Sequence, residues 1–180
     1  MRLYALILLL GLSACAAGAV KDPTVGGAQM FPSKTMLDNL KASGDHDAFV
    51  AAVKTAGLDG VLDGPGPFTV FAPTDAAFAA LPADQRNALM NDKGRLSHLI
   101  DCNTVTGLTS VAQLTELAAQ NGGSYALKTM GGCTLTATVA ASGGVTLSDD
   151  NGVTGHITTG DISQQNGVVH VVDTVFMPKS

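Results

Sequence analysis

PFTVFAPTDAAFAALP, residues Pro67–Pro82, decides how this chain of 180 residues is read. Phe68-Thr69-Val70-Phe71 has the β-branched and aromatic composition of a strand. Pro73 stops it, because proline lacks the N–H that a ladder needs. Thr74 is placed to cap a following helix, and Asp75 complements the positive end of that helix. Phe78 and Leu81 share the inward side of this short helix, and Pro82 ends it. Far downstream, NGVVHVVDTVFMP, Asn166–Pro178, is the most strand-like run in the chain. These two segments are expected to form the spine of one small domain.

The rest of the chain falls into two textures. Lys34–Ala42 reads as a short helix. Asp45 is a good N-cap for a second, in which Phe49, Val50, Val53 and Ala56 follow helical spacing. Gly57 or Gly60 can close it. Gly64-Pro65-Gly66-Pro67 is a turn block. Asp84–Met90, Lys93–Ile100 and Leu108–Ala119 read as helices. Beyond Asn121-Gly122-Gly123 the period becomes two, with strands expected over 124–130, 133–140, 145–148, 153–159 and 168–177. Asn151-Gly152 is a hairpin signal. Helices first, strands second, with one strand embedded early, is an α+β pattern.

Composition narrows the function classes. Hydrophobic residues are 46% and charged residues 14%, which is enough apolar material for a core. The net charge is −5, and the 10 Lys and Arg are dispersed. Nucleic acid, which needs a basic footprint, is therefore not an expected partner. With no Trp and two Tyr, aromatic platforms are scarce. Gly-x-Ser-x-Gly, His-Glu-x-x-His and a Gly-rich phosphate loop are all missing from the sequence, and no cofactor is expected. Asp45-His46-Asp47 invites a metal reading, but consecutive helical residues point about 100° apart and do not converge. Asp149-Asp150-Asn151-Gly152 lacks the alternating spacing of a calcium loop, so a hairpin turn is favoured.

The N-terminus reads as an address. Arg2 is followed by an apolar run, Leu3–Leu12, of signal-peptide length and too short to span a membrane as a stable helix. It ends in Leu12-Ser13-Ala14-Cys15, similar to a bacterial lipoprotein signal in which the cysteine receives lipid. An ordinary secretory signal, cut after Ala17 or Ala19, is the alternative. Residues 1–14 are thus expected to be a signal peptide, 15–33 a flexible tether rich in Ala and Gly, and 34–178 the domain. Ala16 permits transfer to the outer membrane, facing the periplasm or the cell surface. With Cys15 lipidated, Cys102 and Cys133 remain, and an exported protein meets an oxidising compartment where a disulfide is expected. A structural bridge is favoured over a redox-active pair, because Cys-x-x-Cys is missing.

FTVFAPTDAAFAALP resembles the first signature segment of the fasciclin domain, and NGVVHVVDTVFMP resembles the second. VGGAQMFPSK (25–34) and DHDAFVAAVKTAGL (45–58) are also similar to bacterial fasciclin-domain proteins. The resemblance spans Lys34–Pro178 and implies a wedge-shaped β-sandwich with helices contributed mainly by the N-terminal half. Its signature positions here are Phe68, Thr69, Phe71, Pro73, Thr74, Asp75 and Phe78, then Asn166, Gly167, His170, Asp173 and Pro178. The family often carries a Tyr-His pair, associated with integrin binding in animal members, before the mid-domain strand. Asp101 and Cys102 occupy those positions here, so that activity is not carried over, and Cys102 becomes available to bridge to Cys133.

His170 and Asp173 suggest a catalytic dyad. Three apart on a strand, they point to opposite faces, so a buried, hydrogen-bonded His170 is favoured. Asp173 and Thr74 could satisfy backbone groups where the early strand meets the last. The function expected is a non-enzymatic adhesion or interaction module held at the envelope by its lipid, with a protein or extracellular-matrix partner. The alternative is a periplasmic carrier or sensor of a small apolar ligand. An exported enzyme with a dispersed site ranks below both.

Overall fold

A computed structural model describes residues 22–140 and 143–179. At its centre two strands run parallel. In the chain-order numbering used throughout, these are β3 (Phe68–Pro73) and β9 (Gly167–Val172). They pair in register from Phe68 opposite Gly167 to Pro73 opposite Val172. Val70, Ala72, Val169 and Val171 face one core; Phe71 and Val172 face another. Being covered on both faces, β9 is buried at every position and apolar except at His170, rather than alternating.

The first core lies under a layer of helices. After a two-stranded hairpin, β1 (Thr24–Val25) and β2 (Ala28–Gln29), come α1 (Met36–Ala42), α2 (Asp47–Ala56) and α3 (Asp59–Leu62). Beyond β3 follow α4 (Asp75–Ala80), α5 (Ala83–Met90) and α6 (Lys93–Cys102). Phe49, Val53, Phe78, Leu96, Leu99 and Ile100 fill the space between this layer and the sheet. Thr74 caps α4 by accepting from the Ala77 N–H at 3.2 Å. Gly57 closes α2 in the left-handed conformation (φ 74°), where glycine has no Cβ to clash.

The second core is enclosed by the sheet itself. Its remaining parts are β4 (Thr104–Thr106), α7 (Val111–Gln120), β5 (Ser124–Lys128), β6 (Thr134–Val139), β7 (Val145–Ser148) and β8 (Thr154–Gln164). The order is β4-β3-β9-β8-β7-β6-β5. β8 is long enough to serve both halves, and its register breaks between Ile157 and Ile162. There Asp161 takes φ 57°, the one positive φ outside glycine among the described residues. The sheet bends over at this bulge. Phe71, Val105, Leu114, Leu135, Leu147 and Phe176 pack between the two leaves. The edges nearly meet: in the β5–β6 turn, the Met130 N–H donates to Thr104 O (2.8 Å) and the Gly131 N–H to Asp101 O (3.0 Å).

Five sequence expectations need correction. First, the tether is docked from residue 24 onward: Val25 and Met30 are buried, Gly44 N donates to Gly26 O, and Asn39 bonds the Phe31 backbone in both directions. Second, Asp45 does not cap α2. Asp75, at the start of α4, accepts from Ala48 N at 2.7 Å, so one carboxylate serves two helix ends. Third, Thr104–Thr106 form β4 where periodicity shows no strand, since three residues are too few for a periodic signal. Fourth, α7 starts at Val111, because Ser110 and Gln113 form a reciprocal capping box. Fifth, β8 runs to Gln164, and β9 ends at Val172 rather than 177, since Asp173 turns its carboxylate to the His156 N–H (2.7 Å).

Candidate functional site

The signature residues are joinery. Thr69 is buried; its hydroxyl donates to Gly107 O (2.7 Å) and accepts from Thr109 N (2.9 Å). Asn166 binds three elements at once: Oδ1 accepts from Met36 N, while Nδ2 donates to Leu62 O and Gly64 O. A Cβ on Gly167 would lie 2.0 Å from Phe68 O, so only glycine fits where β3 and β9 begin to pair. Pro73 is buried as the last residue of β3, and Phe78 lies in the helical core. Pro178 contributes its carbonyl to Asn151 Nδ2.

His170 is fully buried and stacks on Phe71 with centroids 5.4 Å apart. Its Nδ1 accepts from the Asp161 N–H (3.1 Å), so Nε2 carries the proton and donates to Thr109 O (2.8 Å). Burial pushes its pKa down; the bond to Thr109 and the Asp161 carboxylate oppose this. Asp173 faces away and pairs with His156 Nδ1 at 3.0 Å. Burial pushes the Asp173 carboxyl up, but the bonds from His156 and Thr174 outweigh it and hold the group low. The two residues form no dyad. Thr74 N donates to Val172 O where β3 leaves β9, whereas Asp173 serves the β8 side. Asp45 and His46 do converge, contrary to the helical-wheel argument, because both precede α2: Nδ1 and Oδ1 are 2.6 Å apart. His46 is buried and its Nδ1 also contacts the Ser43 hydroxyl at 2.9 Å, so the pair acts as a strut at the entry to α2.

The concave surface lies elsewhere. A cleft of about 1050 Å³ opens between the Gly64–Pro67 turn, the entry to α7, and the β8–β9 turn. Leu108, more than half exposed, stands at its rim beside Ser110 and Gln113. The opposite wall is Ser163, Gln164, Gln165 and Asn166. Its charges are the carboxylates Asp63 and Asp161; Asp161 also accepts from Val111 N and thereby holds the start of α7 against the bulge. Apolar surface from Pro65, Pro67, Leu108 and Val168 is interrupted by neutral amides and hydroxyls, a lining suited to an uncharged or basic surface of mixed polarity. Sequence reading missed this site because its walls come from segments that lie far apart. The local signals were the exposed Leu108 after Gly107 and the amide-rich Gln164-Gln165-Asn166.

Asp101 and Cys102 lie at the seam where the sheet nearly closes. Cys102 ends α6, Cys133 precedes β6, and a disulfide joins them across a Cα–Cα distance of 5.3 Å. Both are buried, and a Cβ on Gly131 would come within 2.8 Å of Cys102 Sγ. Burial raises the Asp101 pKa, with His98 pulling it the other way. Cys15 lies outside the described residues. Among the described residues, no helix is long and apolar enough to cross a membrane.

The comparisons agree with this architecture. The family model of the fasciclin domain matches residues 44–178, and the chain belongs to that family. Protein sll1483 of Synechocystis is 34% identical over 162 residues, covering 88% of this chain and 81% of the relative. The transforming growth factor-beta-induced protein ig-h3 of Sus scrofa is 31% identical over 147 residues, covering 82% of this chain but only 20% of its own length. Immunogenic protein MPB70 of Mycobacterium bovis is 29% identical over 161 residues, covering 89% of this chain and 72% of the relative. A solved domain pair from the insect cell adhesion molecule fasciclin I superposes with a TM-score of 0.67 at 18% identity, over 81% of this chain and 51% of that one. That likeness concerns the fold alone.

Proposed function

We propose that this protein is a non-enzymatic adhesion module, held at the bacterial envelope through lipid on Cys15, that engages a protein or matrix partner. The observation that carries the reading is the fasciclin match over 44–178 in a chain whose leader ends in Leu12-Ser13-Ala14-Cys15. The Leu108 cleft is the face proposed for the partner, since it sets the exposed Leu108 beside the exposed Ser163 and Gln165 in one concavity. Each acyl CH₂ buried in the bilayer contributes about 0.8 kcal/mol, so two or more chains anchor the domain firmly. In cells lacking the protein, wild-type complementation should restore surface attachment and Cys15→Ser should release the domain and fail to restore it. Equal attachment with both would overturn the anchored-adhesion reading.

A second reading, a carrier of a small apolar ligand, is favoured by the cleft volume of about 1050 Å³, at the upper end of typical ligand pockets. It requires ligand-dependent thermal stabilisation of the purified protein. Adhesion through the same face requires none.

A further inference from the structure

The residues around the seam carry more than a cross-link. His98 and Cys102 stand one turn apart on α6, the i, i+4 spacing that places two side chains on one side of a helix. Cys133 comes from the turn before β6 and meets them there. The His98 Nε2, Cys102 Sγ and Cys133 Sγ atoms all lie within 4.8 Å of one another, and Nε2 is 3.9 Å from Cys133 Sγ. Tetrahedral zinc with bonds of about 2.3 Å to sulfur and about 2.0 Å to nitrogen sets sulfur–nitrogen separations of about 3.5 Å and sulfur–sulfur separations of about 3.7 Å. The imidazole is thus already near a ligand position. Once the S–S bond opens, the sulfurs need only part within a framework that Met130 N and Gly131 N hold by their bonds to Thr104 O and Asp101 O. His98 is exposed and Nε2 has only a 3.3 Å contact with Gly131 O to give up, whereas both cysteines are buried.

We propose that the Cys102–Cys133 disulfide is the oxidised form of a zinc site whose ligands are Cys102, Cys133 and His98, with water in the fourth position. An external dithiol reduces the bridge by thiol–disulfide exchange: two electrons and two protons pass to the cysteines, and the dithiol leaves as its own disulfide. Zn²⁺ then displaces both thiol protons to solvent and takes the imidazole Nε2 lone pair. The seam is consequently closed in either state, by a covalent bond under oxidising conditions and by metal under reducing ones.

The test uses the full chain in a Cys15→Ser background, so that only two thiols remain. Zinc affinity is measured by competition with a chromophoric chelator, and cobalt substitution reports thiolate coordination by charge-transfer absorption. The reduced protein should bind one equivalent, and the oxidised protein should bind none at the seam. His98→Ala should weaken zinc binding at least about tenfold while leaving the circular dichroism unchanged. Cys133→Ser should abolish the cobalt–thiolate band. Zinc should also slow re-formation of the disulfide. Equal affinity in oxidised and reduced protein, or in His98→Ala and its parent, would overturn the proposal. If reduction unfolds the chain, zinc must restore the native spectrum; failure to do so overturns it as well.

Discussion

Removing the disulfide tests how the seam is held. Cys102 and Cys133 are 31 residues apart in sequence. In the chain-entropy model, freeing a loop of that size adds denatured-state entropy worth about 3.7 kcal/mol at room temperature. For a domain of this length each kcal/mol moves Tm by about 2–4 °C, so the double variant Cys102→Ala/Cys133→Ala should melt about 7–15 °C lower. The native contacts at the seam are otherwise retained, because Met130 N and Gly131 N still donate across it. Differential scanning calorimetry of the variant, and of the reduced parent in the presence of chelator, gives the two numbers to compare. They should agree, since alanine fills most of the space of each buried thiol. Hydrogen exchange adds location: the Met130 and Gly131 amides should lose protection before those of β3 and β9. A Tm change below about 2 °C would mean instead that the loop is already constrained in the denatured chain or that the bridge is strained by as much as it stabilises.

Gly167→Ala places a Cβ 2.0 Å from Phe68 O at the first rung of the central pairing. It should destabilise by at least about 3 kcal/mol, seen as a lower urea midpoint and faster proteolysis; a neutral result would contradict the parallel register. His170 is held neutral by burial, with its folded pKa below the ordinary 6.5. The unfolded chain therefore binds more protons below that value. The stability His170 contributes is complete above about pH 6.5 and declines as pH falls from there toward the folded pKa. His170→Gln should flatten that part of the stability–pH curve, and an unchanged slope would show that other groups set it. Asp173 acts in a lower window: its depressed pKa gives stability that is present above 3.8 and lost as pH falls below that value. Asp173→Asn should reduce the acid sensitivity there.

What could be read from sequence was what local chemistry decides. Thr74 caps, Pro73 ends a strand and Gly57 closes a helix whatever surrounds them, and these features lie within a few residues of their partners. The pairing of β3 with β9 was legible as well, because each run was too apolar to face water on either side. Long-range polar choices were not legible. Asp45 adjoins α2 in sequence and is its plausible cap, and only the packing of α4 against α2 brings Asp75 to that end instead. Thr104–Thr106 is a strand because β3 offers it a ladder, not because its own three residues demand one. The tether expected before residue 34 becomes a docked hairpin since Val25 and Met30 find a core to enter. The cleft escaped for the same reason: Leu108, Gln113 and Gln164 meet only after the sheet has bent at Asp161.

The cleft at Leu108 is the face through which adhesion is proposed to act. Leu108 is well exposed and contributes to neither core, so Leu108→Asp should leave Tm and envelope association as in the wild type. Attachment of cells complemented with this variant, counted on a surface coated with the natural matrix, is the deciding measurement. Attachment should be no better than in cells lacking the protein. Wild-type attachment by cells displaying a folded, membrane-held Leu108→Asp domain would contradict it.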